Sequence, residues 1–121
     1  SRPVFLNLFA IKFPITAITS ILHRVSGVIL FFSIPILLYF LDLSLTSESH
    51  FEIAQSYMQF IFSKLIIWVI LSFLTYHLFA GTRHIIMDCG IGESKEAGNL
   101  SSKLLLILSV IAILLIGFWI W

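Results

Sequence analysis

Three uninterrupted apolar runs dominate this 121-residue chain, from about Ile15 to Leu41, Phe60 to Met87 and Lys103 to Trp121. Each reaches the roughly 20 residues that a helix needs to cross a bilayer. A chain of this size that is 60% hydrophobic and 11% charged cannot bury its apolar surface in a globular core, so lipid must solvate it. Barrel strands alternate polar and apolar residues, and these runs do not, which excludes a transmembrane β-barrel. The expected fold class is an all-α integral membrane protein with three transmembrane helices, the whole of 1–121 forming one membrane domain.

Local signals refine that outline. Pro14 suits the first turn of the first helix, and Pro35 inside it predicts a kink of the sort a helical bundle tolerates. Ser49-His-Phe-Glu52 has capping-box spacing and predicts a short interfacial helix before the second span. The stretch from Asp88 to Ser102, with Gly90, Gly92 and Gly98 among mixed charges, reads as a loop. Trp119 and Trp121 suit an interfacial belt. Arg2, Lys12, Arg24, Arg83, Lys95 and Lys103 fall on one side of the membrane and Lys64 on the other. The positive-inside rule then places the N-terminus and the 88–102 segment in the cytoplasm of a bacterium or the matrix of a mitochondrion, with the C-terminus opposite.

Much chemistry is excluded. The net charge of +1 gives no case for nucleic acid, and Cys89, the only cysteine, can form neither an intrachain disulfide nor a thiolate cluster. There is no Cys-x-x-Cys-His, so a haem would be held without thioether links. A Gly-rich phosphate loop, a nucleophile elbow and His-Glu-x-x-His are also missing. The start of the sequence does not read as a cleavable signal peptide.

Two polar clusters stand out against this background. The first is Ser20-Ile-Leu-His23-Arg24-Val-Ser26-Gly27. The second is Tyr76-His77-Leu-Phe-Ala-Gly81-Thr-Arg83-His84-Ile-Ile-Met-Asp88. Ionisable groups are costly in lipid and mark functional sites by default. Helical spacing puts Thr16, Ser20, Arg24 and Gly27 on one face with His23 beside them, a set able to hydrogen-bond a carbonyl or bind a carboxylate. The plain structural alternative is an Arg24 that snorkels to the interface and a Ser20 bonded to its own helix. On the second span His77, Gly81, His84 and Asp88 share a face. Ala80 and Gly81 beside His77 leave room for a planar macrocycle, and imidazole is a standard ligand of haem iron. An intramembrane histidine can equally be a packed, hydrogen-bonded residue. His77 and His84 stand about 10.5 Å apart along the axis, so they cannot be opposed ligands of one iron. His84 and Arg83 suit haem propionates, or pairing with Asp88 and partner carboxylates.

With these residues in view, the chain resembles the cytochrome b556 family of succinate dehydrogenase subunits, the larger of two membrane anchors in bacterial-type respiratory complex II. The resemblance rests on Arg2-Pro3, Phe13-Pro14-Ile-Thr16-Ala-Ile, Ser20-x-x-His-Arg-x-Ser-Gly27, Tyr76-His77 and Gly81-x-Arg83-His84-x-x-Met87-Asp88, and it spans nearly the whole chain. It implies one b-type haem shared with a second anchor subunit, with His77 as this chain's iron ligand and His23 and Arg24 at the propionates. Ser20 and Arg24 would line a ubiquinone pocket completed by the iron–sulfur subunit, with Leu8 and Phe13 as its apolar wall. A flavoprotein subunit would complete the complex. The chain alone would not be catalytic. The rival expectations are a haem-free structural anchor of a fumarate-reductase-like complex and, ranked last, a small transporter subunit. No inverted repeat supports the transporter.

Overall fold

The computed structural model describes residues 13–121, and among them all regular secondary structure is helical, with no strand. Four helices follow in order: α1 (Ile15–Thr46), α2 (Glu48–Tyr57), α3 (Ile61–Asp88) and α4 (Lys95–Ile120). Three of them, α1, α3 and α4, are long and apolar enough to span a bilayer. Large apolar side chains such as Phe31, Phe62 and Phe118 remain exposed on their outer faces. Lipid is the solvent for which such faces are suited.

The breaks between helices have local causes. Pro14 is the N-cap of α1, with its carbonyl accepting from Ala17 and Ile18. The helix then runs unbroken through Pro35 to Thr46, beyond the expected end at Leu41. Extended backbone at Ser47 ends it, and the Ser47 side chain accepts the His50 N–H to start α2. The short helix is therefore where the sequence places it, but its cap is Ser47 rather than Ser49. Gly90, at φ 83°, closes α3 as the left-handed residue of a Schellman motif: Ile91 N–H bonds Ile86 O and Gly90 N–H bonds Met87 O.

The expected loop over 88–102 is largely wrong. Ser94 caps α4 by accepting the Ala97 N–H at 3.1 Å, Glu96 sits in the first turn, and helix begins at Lys95 rather than Lys103. Only the segment around Gly90 and Gly92 is irregular. Gly98 is not a loop residue but a helical one, buried where a methyl group would lie 3.8 Å from Thr16 Cγ2.

The three spans pack on one another, and α2 lies against α1 with Tyr57 edge-on to Phe40. Their contact surfaces are built from small and hydroxyl-bearing residues. On α1 the buried stripe is Thr19, Ser26 and Ser33; on α4 it is Gly98, Ser102, Leu105 and Ser109. Small residues let helix backbones approach closely where lipid removes any hydrophobic incentive to associate. Thr19 joins all three spans. Its side chain reaches Ser102 Oγ at 3.2 Å, and its carbonyl accepts the buried Tyr76 hydroxyl at 2.6 Å. At the other end Trp68 donates its indole N–H to Ile113 O at 2.9 Å, lies against Gly117 and meets Trp121 edge-on. Trp121 is thus a packing residue as well as a member of the aromatic end.

Candidate functional site: a histidine pair in the α1–α3 seam

The antiparallel course of α1 and α3 brings the two polar clusters to one depth. Ser26 lies eleven residues from the start of α1, and His77 eleven from the end of α3, each about 16 Å along its helix. The rings of His23 and His77 stack with centroids 4.4 Å apart and planes tilted by 31°. Both histidines are half-buried. Two glycines give these rings their room, in a crossed arrangement. A methyl group at Gly27 would lie 3.2 Å from His77 Cε1, and one at Gly81 would lie 3.7 Å from His23 Nε2. The space beside Gly27 is therefore filled by His77 itself. Ala80, expected to open space for a ring, instead packs with Tyr76 and Leu105 in the core toward α4.

Ser26 is the polar floor of the seam, with no solvent exposure at all. Its hydroxyl oxygen lies 2.6 Å from the carbonyl oxygen of His23 and 2.9 Å from Nδ1 of His77. Sequence reading passed over Ser26 because it weighed the stripe containing Ser20 and Arg24. Its spacing gave no signal, because any helical serine can bond the carbonyl three or four residues before it.

Ser20 and Arg24 stand one turn apart on α1 and are exposed, as is Phe13 just before the helix. They lie off the buried Thr19–Ser26–Ser33 stripe and are open, whereas Thr16 and Gly27, which spacing grouped with them, face α4 and α3. Leu8 lies outside the described residues. His84 Nε2 approaches Asp88 Oδ2 at 3.4 Å, one turn along α3, with both side chains largely exposed at the helix end.

Arg83 is not brought to the histidines. Its Nε donates to Ser101 Oγ at 2.8 Å and its Nη2 to Gly98 O at 3.2 Å, tying α3 to the first turns of α4. Six residues separate it from His77, which turns it about 120° around the helix. There it borders a groove of about 620 Å³ between α3 and α4, on the other side of α3 from the paired rings. No group of three or more potential metal ligands occurs among the described residues.

These features define a polytopic helical membrane protein with a half-buried histidine pair in the seam between its first and second spans. The chain belongs to the succinate dehydrogenase/fumarate reductase transmembrane subunit family, whose model matches residues 1–116. It is 43% identical to the succinate dehydrogenase cytochrome b556 subunit of Coxiella burnetii, over 99% of this chain and 97% of that one. The corresponding subunit of Paracoccus denitrificans is 34% identical over 92% of this chain and 85% of its own. The cytochrome b560 subunit of Reclinomonas americana is 32% identical over 88% and 77%.

Proposed function

We propose that this chain is a membrane-anchor subunit of succinate:ubiquinone oxidoreductase that shares one b-type haem with a second anchor subunit and forms part of the quinone site. The observation that carries this reading is the stacked His23–His77 pair, held in a glycine-lined seam at a depth where ionisable side chains are costly. Membership of a family whose relatives are named as cytochromes supports it.

The residues suit a haem. His77 has Nδ1 engaged by Ser26, and among the described residues nothing bonds its Nε2, so one ring nitrogen is free to act as a ligand. His23 adds a second imidazole against the same ring, and Arg24 a guanidinium one residue on, both fitted to hold carboxylates such as propionates. A bound haem would supply one-electron transfer within the membrane. A further histidine ligand would come from the partner anchor, since His84 is two turns away from His77 and paired with Asp88.

On the open face of α1, Ser20 donates a hydrogen bond to a quinone carbonyl, and Arg24 stabilises negative charge as that quinone is reduced. Both stand at the end of α1 that the positive-inside rule assigns to the cytoplasm or matrix, where the iron–sulfur and flavoprotein subunits would dock. Phe13, with Leu8, would form the apolar wall. This chain's part in turnover is to bind and orient.

The test is made on the purified, assembled complex. His77→Ala removes the low-spin haem bands from the reduced-minus-oxidised spectrum and His84→Ala keeps them. The reverse result transfers the ligand role to His84, and a wild-type complex without such bands leaves a haem-free anchor. In the same preparations, Ser20→Ala and Arg24→Ala slow succinate–quinone turnover but not succinate–dye turnover. Ser20→Ala loses one neutral hydrogen bond, about 0.5–1.5 kcal/mol net, so its effect is the milder. Wild-type quinone kinetics in both variants would remove the quinone from this face.

A further inference from the structure

The buried Ser26 hydroxyl has one hydrogen and two close polar neighbours. The His23 carbonyl oxygen, at 2.6 Å, carries no hydrogen, so the hydroxyl must donate to it. The contact at 2.9 Å with His77 Nδ1 then needs its hydrogen from the imidazole: Nδ1–H donates to Ser26 Oγ. A neutral imidazole protonated at Nδ1 carries its free lone pair on Nε2. The direction of the whole relay, from His77 through Ser26 to the His23 carbonyl, follows from the one atom in it that cannot donate.

We infer that Ser26 is the positioning residue for the haem ligand: it fixes His77 as the Nδ1–H tautomer, orients the ring and presents Nε2 to the iron. This rests on the reading of His77 as that ligand. The relay acts in two ways. A hydroxyl that donates to a carbonyl is a better acceptor, so it draws on Nδ1–H and makes Nε2 more electron-rich. Such a ligand favours the ferric over the ferrous iron and holds the potential down. Gly27 belongs to the same device, since the Nδ1–Cε1 edge of His77 reaches Ser26 only because no side chain stands at that position. The two histidines are also coupled mechanically, because the ligand's orienting group is anchored on the backbone of the other.

The experiment is a redox titration of the haem in the assembled complex, followed by its absorbance, with haem content measured per flavin. Ser26→Ala removes one oxygen and introduces no clash, so assembly is retained. It leaves Nδ1–H without a partner in an apolar seam. The expected result is a midpoint potential above wild type and haem affinity lowered about 10- to 100-fold, the usual effect of losing a partner of a metal-bound histidine. Ser26→Thr keeps the hydroxyl and returns the potential toward wild type. An unchanged potential and full haem content in Ser26→Ala, beside a haem-free His77→Ala, would overturn the inference and leave the ligand assignment standing. A Ser26→Thr potential shifted as far as that of Ser26→Ala would also overturn it, because the hydroxyl would not be the cause. Haem retained unaltered in His77→Ala removes the ligand reading and this inference with it.

Discussion

Alanine placed at three glycines should give three different outcomes, ranked by one distance each. A methyl at Gly81 would meet His23 Nε2 at 3.7 Å, one at Gly27 would meet His77 Cε1 at 3.2 Å, and one at Gly117 would meet three atoms of Trp68 at 2.8, 2.9 and 3.0 Å. Ordinary carbon contacts lie at about 3.5–4.0 Å. Gly81→Ala therefore fits, and gains at most the ~1 kcal/mol by which alanine outranks glycine in a helix. The gain is smaller in lipid, where the backbone is committed to helix already. At Gly27 the imidazole must yield a few tenths of an ångström. Its retreat is opposed by the Ser26 hydrogen bond and the stacked His23 ring. Overpacking of this kind costs ~1–3 kcal/mol, so the net change is a loss of ~0–2 kcal/mol. At Gly117 the obstacle is a rigid indole tied to Ile113 O and packed on Trp121, so relief costs its hydrogen bond as well. The net loss is ~0.5–3.5 kcal/mol, above that at Gly27 by the hydrogen bond. Thermal denaturation of the detergent-solubilised complex should rank the variants Gly81→Ala, Gly27→Ala, Gly117→Ala from most to least stable. Only Gly27→Ala should also disturb the haem spectrum. A Gly117→Ala complex as stable as Gly81→Ala would refute the reasoning, since the closest of the approaches found at the glycines among the described residues would then carry no energetic weight.

Further expectations concern the hydroxyl network and the topology. Tyr76→Phe deletes the bond to Thr19 O and should lower stability by about 0.5–1.5 kcal/mol in the same melts; no change would show that the three-helix node is not a stabilising contact. Ser109 Oγ is buried with no partner among the described residues, so Ser109→Ala should be neutral or stabilising, and a clear loss would reveal an unrecognised partner. Single cysteines at Ser1 and Trp121 in a Cys89→Ser background should label from opposite sides of the membrane, the N-terminus from the cytoplasm or matrix; labelling of both from one side contradicts three spans.

The spans were legible in the sequence because a bilayer demands long continuous apolar runs, and nothing else in a chain of this size produces them. Which face of each span is buried was not legible. Lipid tails and a protein interior are equally apolar, so hydrophobic patterning does not distinguish Leu22 from Leu105. Spacing grouped Thr16, Ser20, Arg24 and Gly27, whereas packing selects Thr19, Ser26 and Ser33. His77 could be singled out, since an imidazole in a membrane needs a reason, but its neighbour Ser26 could not, because a helical serine commonly bonds only to its own backbone. Arg83 sits about 120° around α3 from His77, tied to α4. Its partners, Ser101 and Gly98, lie in a segment whose glycines suggested a loop, and without a helix there the guanidinium had no visible partner. The start of α4 was missed for the same reason: the Ser94 cap and Glu96 are ordinary helix-start signals, outweighed by three glycines of which only Gly90 and Gly92 adopt positive φ.

The chain's three tryptophans, Trp68, Trp119 and Trp121, all stand toward the end of the bundle away from the His23–His77 pair. Its intrinsic ultraviolet emission is therefore a gauge with one fixed location. Trp68, wedged against Gly117 with its N–H bound, reports whether the tail of α4 is docked, and Trp119, 80% exposed, reports the surrounding medium. His77 lies nine residues from Trp68, about 13–14 Å along α3. A substitution in the histidine seam that leaves the emission of this chain unmoved has acted locally, and one that shifts it has been transmitted down the length of a helix.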